Sequence, residues 1–225
     1  MAVLEASGLT LSFGPTPALG GVSLAVGVGE TVAVMGPSGS GKSTLLHCLA
    51  GLRRPDSGEV QLGGEPFSNL SDRSRSDVRL RRLGVVFQFA ELLPELTMVE
   101  NVSLPAWIDG NARDASRKSA EGLLDRFGIA HLADRHPGEV SGGERQRAAV
   151  ARALVHEPAL VLADEPTGAL DSVNGQLVLD ALMDQARVQG AAVVLVTHEA
   201  RLASLCDREV LMRDGRIVEP VAALR

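Results

Sequence analysis

The feature that most constrains this chain is the run Gly36-Pro37-Ser38-Gly39-Ser40-Gly41-Lys42-Ser43-Thr44. It matches the pattern Gly-x-x-x-x-Gly-Lys-Ser/Thr, follows the apolar segment 31–35 and precedes the apolar segment 45–50. A buried strand, a glycine-rich turn and a helix start, in that order, let successive backbone N–H groups point at one anion. The helix dipole adds to the attraction. We therefore predict a phosphate-binding loop rather than a flexible Gly/Ser linker.

Lysine usage supports this interpretation. Only two of the 22 lysine and arginine side chains are lysines, and one of them, Lys42, lies in the loop. A compact ammonium group on a flexible stem is suited to the outer phosphates of a nucleotide, which arginine reaches less freely. The hydroxyl of the next residue, Ser43, is of the type that ligates Mg²⁺ beside such phosphates.

The bulk properties narrow the class of protein. A length of 225 residues suits one globular unit, and 45% hydrophobic residues with mixed charge argue against disorder. The net charge of −6 gives no reason to expect nucleic-acid binding. No apolar run approaches the length of a membrane span, and the N-terminus lacks the layout of a signal peptide. The two cysteines are too few for a disulfide framework, so we expect a reducing cytoplasm.

The N-terminal part is predicted to form short strands at 3–6, 22–26 and 31–35, separated by turns at 14–17 and 27–30. Phe13 lies in the first of these turns. Its ring could stack on an adenine base or serve as an ordinary core aromatic, and its position favours neither.

The middle of the chain is predicted to be mostly helical. Segment 71–82 is rich in arginine and is expected to form a solvated surface helix, whereas 83–87 is a buried strand that ends at Gln88. That amide could reach a metal ion or a water beside phosphates, because ligands bind at the carboxyl ends of strands in α/β folds. By itself, however, such a glutamine is more often a loop residue. Segments 91–110 and 113–127 are predicted to form a helical insertion. It could be a docking surface for a partner or could serve only to pack against the rest of the protein.

A second candidate phosphate contact lies at 140–147. Ser141 is a good helix cap, and Glu144 completes a capping box. A cap does not require Gly142 and Gly143, and two glycines at a helix start leave N–H groups accessible to an anion.

Two further strands end in polar side chains. The strand at 159–163 leads into Asp164 and Glu165, whose charges are costly beside a core strand unless a cation or ligand is near. We expect Asp164 to hold Mg²⁺ through its waters and Glu165 to polarise an attacking water. The strand at 191–196 leads to His198, which could donate to a γ-phosphate. The other four histidines receive no role: His47, His131, His136 and His156.

Taken together, these motifs resemble the ATP-binding subunit of ATP-binding-cassette (ABC) transporters over nearly the whole chain. The correspondence follows the family's order: the Walker A loop at 36–44, the Q-loop residue Gln88, the LSGGQ-type signature at 140–147, Walker B with the catalytic glutamate at 160–165, the D-loop at 168–171 and the switch histidine His198. The sequence departs from the family in having Val140 where Leu is usual, Phe13 where Tyr is common, and Glu199 where Asp is frequent. None of these changes removes a catalytic group.

The resemblance implies an α/β fold. A P-loop NTPase (RecA-like) core would carry an N-terminal antiparallel β subdomain and an inserted α-helical subdomain. One domain would span 1–225, with 1–88 and 156–225 as core and β subdomain and 89–155 as helical subdomain. The implied cofactors are ATP, with Asp171 among its contacts, and Mg²⁺ on Ser43, Gln88 and Asp164. Lys42, Gln88, Glu165 and His198 would be the catalytic residues.

Segments 92–102 and 163–171 resemble the macrolide-exporter and lipoprotein-release branch. That branch implies a separate permease with a large extracytoplasmic region, powered for export or transenvelope mechanical motion. It also implies a head-to-tail nucleotide sandwich with a second copy of the chain, no nucleic acid, and a location at the cytoplasmic face of the bacterial inner membrane.

Two other functions stay open at this point. A non-transport ABC ATPase would carry long coiled coils or paired cassettes, and neither a sustained heptad pattern nor a second cassette is present. A regulatory or signalling subunit of a membrane complex would need only ATP binding, whereas Asp164, Glu165 and His198 favour hydrolysis.

Overall fold

The computed structural model describes residues 2–168, 170 and 172–221, and the side chains of all of these except 172–174 and 219–221. The strands are β1 Ala2–Phe13, β2 Thr16–Gly27, β3 Thr31–Met35, β4 Ser57–Leu62, β5 Glu65–Pro66, β6 Leu83–Val86, β7 Leu160–Asp164, β8 Ala192–Val196, β9 Arg208–Arg213 and β10 Arg216–Val221. The helices are α1 Lys42–Leu49, α2 Asp72–Arg82, α3 Met98–Ile108, α4 Arg113–Arg126, α5 Gly142–Leu154, α6 Ser172–Gln189 and α7 Ala200–Ala203.

The larger sheet has six strands in the order β10-β9-β3-β8-β7-β6. All neighbours are parallel except β10, which pairs antiparallel with β9. Every residue of β7 and β8 is buried, which is why these strands read as unbroken apolar runs rather than alternating ones. Because the strands are parallel, the carboxyl ends of β3, β6, β7 and β8 meet at one edge of the sheet.

The smaller sheet is antiparallel, in the order β2-β1-β4-β5. Its apolar face shares one core with α1 and with one face of the larger sheet, through residues such as Leu4, Leu46 and Val194. The helix that follows the glycine-rich loop is therefore packed against both sheets. This packing fixes the direction in which the helix N-terminus points.

Helices α3, α4 and α5 lie between β6 and β7 in the chain and form a second core with α6, through residues such as Val102, Leu124, Val150 and Leu182. Thr97 starts α3 and Ser141 starts α5, each in a complete capping box. The predicted helical insertion thus consists of three helices. None of the helices in the described ranges combines the length and apolarity needed to cross a membrane.

Helix α2 departs from the expectation of a solvated surface helix. Arg75 is buried, pairs with Asp72 and donates to Ser68 O at 3.3 Å. Arg79 donates to Ala50 O and Gly51 O, which follow the end of α1, at 3.4 and 3.3 Å. The prediction of solvation is wrong for these side chains, because arginine forms several hydrogen bonds at once and can satisfy carbonyls that a helix terminus leaves unpaired.

Candidate functional site

The glycine-rich loop joins β3 to α1 at the carboxyl edge of the larger sheet. Gly36 and Gly41 have φ values of 150° and 98°, and a Cβ at either position would collide with a backbone carbonyl, that of Met212 or that of Ala18. Glycine is therefore required at both positions on steric grounds. Gly39, at φ 79°, has no other residue near its Cβ position, so it serves the turn alone.

Lys42 is almost fully buried within the curve of this loop. Its Nζ donates to Gly36 O at 2.8 Å and to Pro37 O at 3.0 Å. Ser40, also buried, leaves its Oγ without a hydrogen-bond partner among the described residues. A buried ammonium and an unpaired buried hydroxyl in one glycine-rich loop suit the oxygens of an anion, which supports the prediction of a phosphate loop.

Ser43 and Asp164 meet where α1 begins and β7 ends. Ser43 Oγ donates to Asp164 Oδ1 at 3.1 Å, across 121 positions in the sequence. Burial raises the pKa of the Asp164 carboxyl, and the Ser43 hydrogen bond opposes this only in part. A carboxylate that is poorly stabilised by its protein surroundings favours a bound cation.

Glu165 adopts a backbone φ of 41°, a left-handed conformation that is uncommon for residues other than glycine. Its N–H donates to Val196 O at 2.9 Å, so the neighbouring strand β8 holds the backbone in place. The carboxylate contacts two of the predicted site residues. His198 Nδ1 lies 3.2 Å from Oε1, and Gln88 Nε2 lies 3.5 Å from Oε2.

The four strand-end predictions therefore fall at one edge of one sheet. Gln88 follows β6, Asp164 ends β7, Glu165 comes next, and His198 follows β8. Asp164 contacts Ser43, whereas Glu165 contacts both Gln88 and His198. The oxygen donors of Ser43 and Asp164, beside the Glu165 carboxylate and the His198 imidazole, are of the kinds needed to hold a metal–phosphate complex and activate a water.

The residues present fit both implied cofactors. For the phosphates, the loop offers its N–H groups and Lys42. For Mg²⁺, the hydroxyl of Ser43, the carboxylate of Asp164 and the amide oxygen of Gln88 are hard donors. The described residues contain no group of three or more His, Cys, Asp or Glu side chains arranged to hold a metal. Few protein ligands are expected for Mg²⁺, which keeps several waters and shares phosphate oxygens.

The signature segment lies apart from the loop. The Glu144 N–H donates to Ser141 Oγ at 3.3 Å, and Glu144 Oε2 accepts from the Ser141 N–H at 2.7 Å. The Ser141 hydroxyl also donates to Glu144 Oε2, at 2.8 Å, and the two bonds that this oxygen accepts lower the pKa of the Glu144 carboxyl. Among the residues that the structure describes, no hydrogen bond or ion pair joins Ser141, Gly142 or Gly143 to segment 36–44. Ser141 and Gly142 face solvent, so within one chain the two candidate phosphate contacts are separate.

Phe13 ends β1, where it pairs with Thr16 of β2, close to the point at which β2 passes Gly41. The residue is 48% exposed, which excludes the interpretation as a core aromatic. Arg53 lies over the ring, with Cζ 4.6 Å from the centroid. No local sequence pattern predicts this contact, because Arg53 follows α1 and is 40 positions away from Phe13.

Two sets of residues stand outside these findings. Asp171, predicted as a nucleotide contact, lies outside the described residues, as does Ala169 of the D-loop segment. Gln146 and Arg152 on α5 contact the segment around Gln88, a relation that sequence reasoning missed. Their only sequence signal is membership of a helix that begins with the signature.

The fold and this site define a P-loop nucleotide hydrolase. The profile of the ABC transporter family matches residues 19–168, and the chain belongs to that family. It is an ATP-binding and ATP-hydrolysing subunit.

Relatives and solved structures agree with this assignment. The chain is 46% identical over 208 residues to the lipoprotein-releasing system ATP-binding protein LolD of Shewanella oneidensis, covering 92% of this chain and 90% of the relative. It is 48% identical over 200 residues to LolD of Shewanella denitrificans, covering 89% and 86%.

Among solved structures, the dimeric ATP-binding cassette MJ0796, in a post-hydrolysis state bound to ADP and Pi, matches with a TM-score of 0.91 and 35% identity over 99% of both chains. CbiO1 from Clostridium perfringens, part of the transporter complex cbiONQ, matches with a TM-score of 0.86 and 30% identity over 97% of this chain and 88% of that one. The predicted α/β P-loop fold and the predicted ABC lipoprotein-release resemblance are confirmed.

Proposed function

We propose that the chain powers a separate integral-membrane permease, in export or transenvelope mechanotransmission, with a lipid-anchored protein as the cargo class. The observation that carries this proposal is the 46–48% identity to lipoprotein-releasing ATP-binding proteins over about nine tenths of the chain. The permease would have a large extracytoplasmic region, and the chain would lie at the cytoplasmic face of the inner membrane.

At the site, Lys42 and the loop N–H groups bind the β- and γ-phosphates, and Phe13 stacks on the adenine. Ser43, Asp164 and Gln88 would hold Mg²⁺. The chemistry that such an ion supplies when bound is neutralisation of the charge on the phosphate oxygens. The proposal is supported by the Ser43–Asp164 contact and by the raised pKa of Asp164, which a nearby cation would reverse.

Glu165 orients the attacking water and accepts its proton, while His198 donates to an oxygen of the γ-phosphate. The 3.2 Å contact between the two side chains supports these roles, because both groups must lie within reach of the same phosphate. To act on a nucleotide, the two side chains must give up their contact with each other, so that Glu165 bonds to the water and His198 to the γ-phosphate.

The site is completed by a second copy of the chain. Ser141, Gly142 and Gly143, with Asp171, would close over the nucleotide held by the loop of the partner. The exposure of Ser141 and Gly142, and their separation from the loop within one chain, support this arrangement. A two-fold pairing then forms two identical composite sites.

The test is reconstitution. The affinity-tagged chain is purified from membranes of its own organism with the permease that accompanies it, and the complex is placed in vesicles containing a lipid-anchored protein. We expect ATP with Mg²⁺ to release the anchored protein to a soluble acceptor, and the Glu165→Gln complex to release none. Glu95→Gln, the same change at an exposed position, is the matched control.

Two results would contradict the proposal separately. ATP turnover by the complex without release of any lipid-anchored protein would reject this cargo class. Absence of any membrane protein in the purified material would reject the permease.

A further inference from the structure

Helix α5 contacts both ends of the segment that carries Gln88. Gln146 Nε2 donates to Phe87 O at 2.9 Å, just before Gln88. Arg152 donates from Nη1 to Glu91 O at 2.8 Å and from Nη2 to Ala90 O at 3.1 Å, just after it. Three side-chain hydrogen bonds from one helix therefore span residues 87–91, which we call the Gln88 segment.

The two donors are better fixed than the segment they hold. Gln146 is 2% exposed, and Arg152 is desolvated enough that burial lowers the pKa of its guanidinium. In contrast, Phe89 is 67% exposed and Glu91 takes a left-handed φ of 45°. A short exposed segment with a strained residue keeps one shape only if its surroundings determine it. Here α5 supplies that determination, because charge-assisted bonds to carbonyls are among the strong ones.

What the segment presents to the site is Gln88 itself. Its Nε2 lies 3.5 Å from Glu165 Oε2 and 3.2 Å from the position that a Cβ on Gly168 would occupy. With so little free space, a small shift of the segment changes the distance from Gln88 to Glu165.

We propose that Gln146 and Arg152 are positioning residues for hydrolysis. Their hydrogen bonds hold the Gln88 segment on α5 and thereby keep the Gln88 side chain in place beside Glu165. This inference rests on the proposed role of Gln88 at the metal and water.

The test combines a spectroscopic reading of the segment with kinetics. A spin label is attached at position 89 through Phe89→Cys, in the full chain carrying Cys48→Ala and Cys206→Ser. Arg152→Ala is expected to increase the mobility of the label and to lower kcat about tenfold, with KM for ATP within about twofold. Arg152→Lys, which retains one donor group, should restore part of both. Gln146→Met keeps the packing and removes the donor, and should act in the same direction.

Val178→Ala is the matched control for stability alone, because Val178 is fully buried on α6 and makes none of the hydrogen bonds that hold the Gln88 segment. It should lower Tm while leaving label mobility and kcat unchanged. The inference is overturned if Arg152→Ala and Gln146→Met resemble Val178→Ala in mobility and kcat. A different result, increased mobility with unchanged kcat in these variants and in Gln88→Ala, would instead reject the proposed role of Gln88.

Discussion

At the scale of single residues, Glu165 is constrained in both backbone and side chain. Its φ of 41° is held by a hydrogen bond to β8, and its two carboxylate oxygens face His198 and Gln88. Left-handed backbone at a residue with a side chain costs energy and persists where the surroundings fix it, commonly at active sites. In this arrangement Glu165 contacts Gln88 and His198, the two other side chains that are proposed to act on the nucleotide at this edge of the sheet.

Glu165→Gln should bind ATP with nearly unchanged affinity and turn it over about 100-fold more slowly or worse, because the amide cannot accept a proton from water. The measurements are nucleotide titration and steady-state phosphate release, with Glu95→Gln as control. Near-normal turnover in Glu165→Gln would remove Glu165 from the role of general base.

Phe13 and Arg53 form the second residue-scale prediction. Arg53 covers one face of the ring and Phe13 is half exposed, so we expect a base to stack on the face that Arg53 does not cover. Phe13→Ala should weaken ATP binding about tenfold. Arg53→Ala should weaken it about threefold, in line with an exposed cation–π contact.

Two comparisons make that prediction specific. In the Phe13→Ala background, Arg53→Ala should have no further effect, and inorganic tripolyphosphate, which has no base, should bind all variants equally. Additive losses in the double variant, or equal losses for tripolyphosphate, would contradict a shared role at the base.

At the scale of secondary-structure elements, the turn between β2 and β3 is tied to β9 by Glu30. Its carboxylate accepts from Gly27 N at 2.6 Å and from Arg208 Nε at 2.9 Å. Burial by itself would raise the pKa of Glu30, but the bonds from Arg208 and Gly27 outweigh it, and the pKa is lowered below its ordinary value of 4.5. β3 leads directly into the phosphate loop, so this tie also orients the loop.

Glu30→Gln should lower the free energy of unfolding by about 1 kcal/mol at pH 7, because the charge on the acceptor is lost. Since the folded-state pKa is the lower one, the unfolded chain takes up the proton first as pH falls. The stabilisation is therefore complete above 4.5 and disappears as pH drops through the lowered pKa. Urea denaturation of both proteins from pH 7 to pH 3.5 checks this. A difference that does not narrow in the acid range would contradict it.

At the scale of the whole molecule, one chain holds its phosphate loop and its signature apart. The loop lies at the edge of the larger sheet, and Ser141 lies at the start of α5 in the helical insertion. The solved structure of MJ0796, 35% identical to this chain, is of a dimer bound to ADP and Pi. We expect activity to depend on pairs of chains.

Mixing two inactive variants tests the pairing. Lys42→Ala lacks the phosphate contact, and Ser141→Arg blocks the signature, so each should be nearly inactive alone. In an equal mixture, half of the dimers combine the two chains and have one intact composite site of two, which gives about a quarter of the normal turnover. A mixture no more active than its components, with mixed dimers shown to form, would rule out composite sites.

Element prediction succeeded where local pattern and environment agree. β7 and β8 were predicted within a residue because their apolar runs are buried throughout. β1 was predicted at 3–6 but extends over twelve residues, Ala2–Phe13. Ser7 and Gly8 break its alternation, and the register shifts there, but pairing with both β2 and β4 keeps the strand continuous. Likewise, Pro17, predicted in a turn, pairs with Ser12.

The sequence by itself determined which groups are available and where each lies along the chain: a glycine loop between strand and helix, and Gln88, Asp164 and His198 after buried strands. These follow from backbone sterics and hydrophobic pattern, which act between neighbours in sequence. Only the tertiary structure decided which groups meet. Ser43 contacts Asp164, and Glu165 contacts both Gln88 and His198, because the strand order β3-β8-β7-β6 brings the carboxyl ends of strands that are distant in sequence to one edge. Helix α5 donates hydrogen bonds to the Gln88 segment at the same edge. That order is set by the packing of two cores, which no local stretch of sequence contains.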